Sequence, residues 1–323
     1  MAWRLKLVPE NTNWDFFKYA RNTFGASMLA ILLSFVSIAT LGFNFGIDFL
    51  GGTTIRTEST QDIDLAAYRE AVDGLGFGDA TLTEVFDPSF GAGRHVAQIR
   101  IQAQDDGTLT AEDIARVEAA LKGVDPSVTF QAVETVGPKV SGELIQTAVV
   151  SLVLALLGVM VYVWLRFEWQ FGLASVAALA HDAILTIGVF SLFQMRFDLT
   201  VVAAVLTIVG YSINDTVVIF DRVRENLIKY KKKSLKEVVN LSLNETLSRT
   251  VMTSSVTMLA LISLYIFGGD VIRGFAFAMI FGVLVGCYST VFVASVVLIR
   301  LGVNRDKGEK AVEGGAAESP FQS

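Results

Sequence analysis

Charged residues are scarce in this sequence. Asp, Glu, Lys and Arg make up 18% of its 323 residues, where soluble domains carry about 25%. Hydrophobic residues reach 52% and the mean hydropathy is +0.53, so the chain reads as a membrane protein. Cysteine is nearly absent. Cys287 alone, inside an apolar run, excludes a disulfide framework and suggests no redox role; it reads as a small buried hydrophobe. Histidine is almost as rare. His95 and His181 are too few for the ligand sets that metal centres use, so neither a metal nor a cofactor is expected.

What is present is long apolar sequence. A membrane-spanning helix needs about 20 predominantly apolar residues, and six segments qualify: 26–45, 144–165, 171–193, 199–220, 251–267 and 275–299. The first does not read as a signal peptide, since its apolar part is too long and no small-x-small cleavage site closes it. Basic residues cluster in three places. Arg4, Lys6, Lys18 and Arg21 precede the first span; the 221–245 connection carries Lys231, Lys232 and Lys233 among others; Arg300, Arg305, Lys307 and Lys310 lie in the tail. Six crossings put all three on one side, and the positive-inside rule makes that side the cytoplasm. The expected layout is a cytoplasmic segment 1–25, a first span 26–45, an outward domain 46–142, a five-helix block 143–300 and a disordered tail 301–323.

The outward segment reads as a small folded unit. From Thr53 to Lys139 it holds fifteen acidic residues against seven basic ones, a net of -8. A strand is expected at 53–58, then a helix at 62–75 with Leu65, Tyr68 and Val72 at three- and four-residue spacing. Segments 81–86 and 95–102 alternate like paired strands about a Pro88/Gly91/Gly93 turn cluster. Thr110 opens a second helix with capping-box chemistry, its apolar face formed by Ile114, Val117 and Leu121, and a strand at 128–136 closes the unit. The order βαββαβ is that of a ferredoxin-like split fold. The fold class is thus α-helical membrane protein with a small α+β ferredoxin-like domain. His95 reads as a surface residue.

Polar groups inside the apolar runs carry the functional information. A carboxylate within a membrane helix costs about 2.5–3.5 kcal/mol or more, yet Asn214 and Asp215 sit side by side in the fourth span. Thr207, Tyr211, Asn214 and Asp215 share one helical face; Thr246, Arg249, Thr250, Thr253 and Thr257 form a stripe on the fifth. If the stripes face each other, Asp215 gains a cation and several hydroxyl donors. Two roles stay open. A carboxylate whose partner moves away takes up a proton and returns it later, which is a proton relay. A fixed Asp215–Arg249 pair would instead clamp two helices, a costly design because buried ion pairs add little net stability. His181 and Asp182 in the third span read as a packing hydrogen bond or an accessory proton group. Asp198 reads as an interfacial residue. Gly282 and Gly286 form a GxxxG, which reads as close helix packing within the chain.

Several motifs together resemble the SecD/SecF family of protein-export membrane proteins. They are Phe45-Gly46-Ile47-Asp48-Phe49-Leu50-Gly51-Gly52-Thr53, Gly137-Pro138, His181-Asp182, Gly210-Tyr211-Ser212-Ile213-Asn214-Asp215-Thr216 with Phe220-Asp221-Arg222, Asn244-Glu245-Thr246-Leu247-Ser248-Arg249-Thr250, and Phe267-Gly268-Gly269 followed by Phe275. The resemblance runs over about residues 14–300 and fits the SecF side of the family, since SecD carries a much larger outer domain. It implies a six-helix partner, SecD, completing a twelve-helix unit of the resistance-nodulation-division type. That unit would sit in the bacterial inner membrane with the SecYEG channel and YajC, and would use the proton-motive force to aid a translocating preprotein. It further implies that Asp215 and Arg249 are the functional pair, with Asn214, His181, Asp182 and Thr253 accessory, and that Asp48, Gly51 and Gly52 form a family motif. The outer domain would be periplasmic; membrane lipid, not nucleic acid, would surround the chain, and no enzymatic activity is implied. A non-energised scaffold subunit and a half-transporter of the same superfamily for a small molecule remain alternatives. An intramembrane hydrolase built on His181-Asp182 lacks a nucleophile with an oxyanion site.

Overall fold

Backbone hydrogen bonding carries each apolar run into a helix longer than the run itself, because no water competes for the backbone in hydrocarbon and the helix ends only at a cap. The computed structural model describes residue 9 and residues 12–77, 80–85, 94–102 and 109–303. Among the described residues six helices are long and apolar enough to cross a membrane: Phe16–Leu41, Gly142–Arg166, Trp169–Leu192, Leu199–Lys229, Leu235–Phe267 and Ile272–Leu301. These are the six expected spans; most begin or end further out than the apolar runs, whereas the first starts earlier and ends at Leu41, short of the expected residue 45. Asp15 starts the first by accepting from Phe17 N, and a Ser234/Glu237 capping box starts the fifth, so their beginnings fall outside the apolar sequence.

In chain order a 3-10 turn (Phe16–Tyr19) leads into α1 (Ala20–Leu41), β1 (Asn44–Phe45) and the one-turn α2 (Ile47–Leu50). The small domain follows as β2 (Gly52–Ser59), α3 (Leu65–Asp73), β3 (Ala80–Val85), β4 (His95–Gln102), α4 (Ala111–Val124) and β5 (Thr129–Val136). The membrane block is α5 (Pro138–Arg166), α6 (Trp169–Leu192), β6 (Arg196–Phe197), α7 (Leu199–Lys229), α8 (Leu235–Phe267), α9 (Gly269–Ser289), a π-helical turn (Thr290–Ala294) and α10 (Ser295–Leu301). That π turn within the sixth span has no signature in an apolar run.

The domain's strands form one antiparallel sheet in the order β3-β4-β2-β5. Period-2 alternation sends Ile55, Leu82, Ala97, Ile99 and Ile101 to one face, where they pack on Tyr68, Val72, Val117 and Leu121 of α3 and α4. Each such large side chain stabilises by about 1.5–3 kcal/mol. Thr110 and Asp113 make the anticipated capping box. The Pro88/Gly91/Gly93 cluster and the tail beyond Val303 lie outside the described residues. His95 sits on the surface, paired with Asp62 and Glu84.

Two apolar layers build the membrane block. Phe171, Ala178, Phe220, Val223 and Val293 belong to one; Phe190, Ala204, Ile208, Ala278 and Val283 belong to the other. Helix α6 is central, packing on α1, α5, α7 and α9. Gly188 allows α1 to approach: a Cβ there would overlap the Ser34 side chain and lie 3.0 Å from its Cα. Both glycines of the GxxxG face α7, Gly282 against Ile208 and Gly286 against Ser212, so the motif does pack helices within the chain.

One buried acid holds the domain's loops. Asp125 accepts hydrogen bonds from Ser59, Tyr68 and Ser127. Burial pushes its pKa up, but these donors outweigh burial and hold it below the usual carboxylate value. A depressed folded pKa stabilises above the unfolded value of about 3.9 and is lost as pH falls through the folded one. The domain is therefore expected to lose stability below about pH 4, and Asp125→Asn to flatten that acid limb. Unfolding followed by near-ultraviolet circular dichroism from pH 7 downward checks it.

Candidate functional site: a polar layer between two apolar ones

Three helices bring polar side chains to the same depth, between the two apolar layers. Ser212, Asp215 and Thr216 on α7 fall at i, i+3 and i+4 and share a face; Asp182 lies on α6, and Ser289 and Thr290 end α9 and open the π turn. Asp182 is fully buried, and its Oδ2 accepts from Ser212 Oγ and Ser289 Oγ at 2.8 Å each. His181 Nδ1 lies 3.0 Å from its Oδ1, and the imidazole stacks against Tyr288 with centroids 6.2 Å apart. Thr216 Oγ1 and Thr290 Oγ1 meet at 3.1 Å. Gly286 brings the α9 backbone close: a Cβ there would stand 3.1 Å from Ser212 Oγ and 3.6 Å from Asp182 Oδ2. His181 and Asp182 are thus drawn into one network with two serines that sequence reasoning passed over. Only the i, i+3, i+4 spacing of Ser212 to Asp215 and Thr216 could have pointed to one of them.

Asp215 is treated differently. It is 7% exposed, yet among the described residues it makes no hydrogen bond or ion pair. Arg249 on α8 acts on it electrostatically but forms no salt bridge with it. The two polar stripes do meet, through Tyr211 Oη donating to Thr257 Oγ1 at 3.2 Å. They do not deliver the hydroxyl donors expected for Asp215. Thr253 bonds back to the Arg249 and Thr250 carbonyls, Thr246 to those of Ser242 and Leu243, and Thr250 Oγ1 is buried without a partner. A threonine in a helix readily bonds its own i−4 carbonyl, which explains why alignment of hydroxyls did not become a bridge. Asn214, Arg249 and Thr253 face outward, on a side of the block formed by α7 and α8.

At its other end α7 is tied to the small domain. Asp48 Oδ2 accepts from Leu199 N at 3.0 Å, and Asp198 Oδ1 accepts from Thr200 N and Val201 N. Asp198 is therefore the helix N-cap, more than the interfacial residue expected. Two carboxylates at a helix N-terminus satisfy free N–H groups and complement its dipole. β1 pairs in parallel with β6, Gly46 N donates to Phe197 O at 2.8 Å, and Arg196 Nη1 donates to Gln98 Oε1 of the sheet at 3.3 Å. Gly51 and Gly52 sit at φ 73° and 133°, conformations that only glycine adopts without strain, and they turn the chain from α2 into β2. At the opposite end, Arg222 bridges Glu225 and Glu245, joining α7 to α8, and Asn240 and Asn244 hold the backbone of Trp14 and Phe16.

Six membrane-length apolar helices, one of them carrying a buried acid and bonded at its end to a small sheet domain, define a multi-pass membrane protein. The C-terminal model of the protein export membrane proteins SecD/SecF matches residues 116–304, and the SecD/SecF GG motif matches residues 36–63. The chain belongs to the SecD/SecF family. It is 61% identical over 316 residues to the protein translocase subunit SecF of Cereibacter sphaeroides, covering 98% of each chain, and 57% identical over 325 residues to that of Ketogulonicigenium vulgare, covering 99% of this chain and 98% of that one. Among solved structures it is similar to SecDF, a translocon-associated membrane protein from Thermus thermophilus, with a TM-score of 0.80 and 35% identity over 91% of this chain. A super-membrane-facing form of SecDF gives a TM-score of 0.68 at 36% identity over 96% of this chain. The chain spans 39% and 41% of those two SecDF chains.

Two expectations follow. Asp182→Ala leaves Ser212, Ser289 and His181 without their acceptor at about 1–3 kcal/mol per stranded buried group, so the thermal unfolding midpoint in detergent should fall strongly. Asp48→Ala removes one N-terminal acceptor of α7 and should cost about 1 kcal/mol, with faster amide exchange confined to the start of that helix.

Proposed function

We propose that this chain works as a SecF-type subunit of the Sec export machinery. In this reading it pairs with a SecD partner in a bacterial inner membrane and uses the proton-motive force to help preproteins across, in association with SecYEG and YajC. The domain at 46–142 is the periplasmic one and, by its βαββαβ order, ferredoxin-like; both termini are cytoplasmic. Asp215 takes up and releases protons, Arg249 biases its charge state, and the motion is transmitted to the periplasmic domain.

The observation that carries this reading is the contrast between two acids in one polar layer. Asp182 is saturated with donors, as a packing residue should be. Asp215 is buried yet free of any bond among the described residues, with a cation on the adjacent helix that does not touch it. A carboxylate held in that condition changes protonation when its neighbour approaches or withdraws. A clamp would need contact, which is why the relay is favoured over the scaffold. The outward position of Asn214, Arg249 and Thr253 supports a second helical unit on that side, because polar groups facing lipid are costly. The end of α7 gives a route to the domain: from Leu199 to Asp215 is one unbroken helix, and its first turn is bonded to the segment leading into the sheet.

Asp215→Asn, nearly isosteric, tests it in membranes that also contain SecD. Proton-motive-force stimulation of preprotein translocation should drop about tenfold or more, as for loss of a proton-transfer group. Accumulation, copurification with SecD and thermal stability should stay close to the parent. Retained stimulation would sink the relay; loss of stability or of SecD binding would instead favour the clamp.

A further inference from the structure

A cavity of about 550 Å³ lies between the underside of the sheet and the outer ends of α7, α8 and α9. The sheet face above it is polar: Thr54 stands opposite Arg100 across β2 and β4, and Gln98 lies two residues along. Below it are Asp48, Arg196 and Asp198. Asp48 accepts from Leu199 N and Asp198 from Thr200 N and Val201 N, while Glu134, opposite Thr54 on β5, also lines the cavity beside Arg56 and Arg273. The hydrogen bonding of Arg100 and Arg196 is incomplete. Arg100 Nε is buried with no hydrogen-bond partner, and so is Thr54 Oγ1, on a residue only 4% exposed. Arg196 donates to Gln98 with one nitrogen and is ion-paired with Asp198, its Nε 3.5 Å from Oδ2 and without a hydrogen bond. Burial and the neighbouring Arg196 push the Arg100 guanidinium below its usual pKa, against the opposing pull of Asp198 and Asp48.

Stranded donors around a cavity, two of them guanidinium nitrogens, have one chemical complement. Guanidinium forks take the oxygens of a phosphate or carboxylate in pairs, and a hydroxyl adds a further donor. We propose that this cavity is an oxyanion site that takes the phosphate of an anionic phospholipid headgroup, held by Arg100, Arg196 and the Thr54 hydroxyl. Its floor is made where α7 and α9 begin and near the end of α8, at Tyr265, a position of the kind at which aromatic residues mark the membrane interface. A bound headgroup would sit between the domain and the N-terminus of α7, and would neutralise the facing arginines.

Native mass spectrometry of the full-length chain, titrated separately with phosphatidylglycerol, phosphatidylcholine and inorganic phosphate, tests the site. Phosphatidylglycerol should be retained about tenfold more tightly than phosphatidylcholine, with Arg100→Gln removing that preference and Thr54→Val weakening it by about threefold. Should Arg100→Gln misfold, the near-isosteric Thr54→Val decides, its unfolding midpoint serving as the control for the fold. Inorganic phosphate that binds the parent, fails on Arg100→Gln and displaces phosphatidylglycerol supports the same site with a free anion as a second source. Equal retention of both lipids, parental retention by both variants, or an acidic peptide captured in place of either lipid or phosphate overturns the proposal.

Discussion

A polar side chain in hydrocarbon must find a partner inside the protein, because lipid offers none. That constraint organises the membrane block. Asp182 meets it by drawing donors from its own helix, from α7 and from α9, and so sets the register of three helices at one depth. Gly286 makes the arrangement possible by removing a side chain where α9 must come close. The apolar layers on either side, built on Phe171 and Phe220 and on Phe190 and Ile208, shield this network from both ends.

Asp215 occupies the same layer and leaves the constraint unmet. The difference between two carboxylates one helix apart is a matter of local satisfaction: three donors for one, none for the other. The same helix that carries Asp215 begins under the sheet, where Asp48, Asp198, Gly46 and Arg196 bind it to the domain. Rigid backbone thus joins Asp215 to the sheet domain, and the cavity lined by Arg100 and Arg196 lies at that joint.

Much of this was legible in residue order. Alternation marked the sheet faces, and β4 was read at its true bounds because Ala97, Ile99 and Ile101 recur at every second position between a clear turn and a clear cap. The Thr110 capping box was read from the four residues Thr110 to Asp113. All six spans were found, with the start at Leu199 and the end at Phe267 read as they stand; most other ends were not, since caps such as Asp15 and Ser234 lie outside the apolar runs. The threonine stripe on α8 misled: aligned hydroxyls suggested a bridge, but each can bond its own helix carbonyl, and spacing alone does not say which it chooses. The Asp48 cap spans 151 positions of sequence, so no local pattern could announce it.

By itself the sequence determined the spans, the sheet domain and the presence of an acid needing a reason, because hydropathy and side-chain periodicity are local properties. Its motifs also determined the family. Only the tertiary structure decided which acid is satisfied and which is not, since that depends on whether serines from two other helices arrive within hydrogen-bond reach. Long-range placement distinguished Asp182 from Asp215; composition and spacing treat them alike.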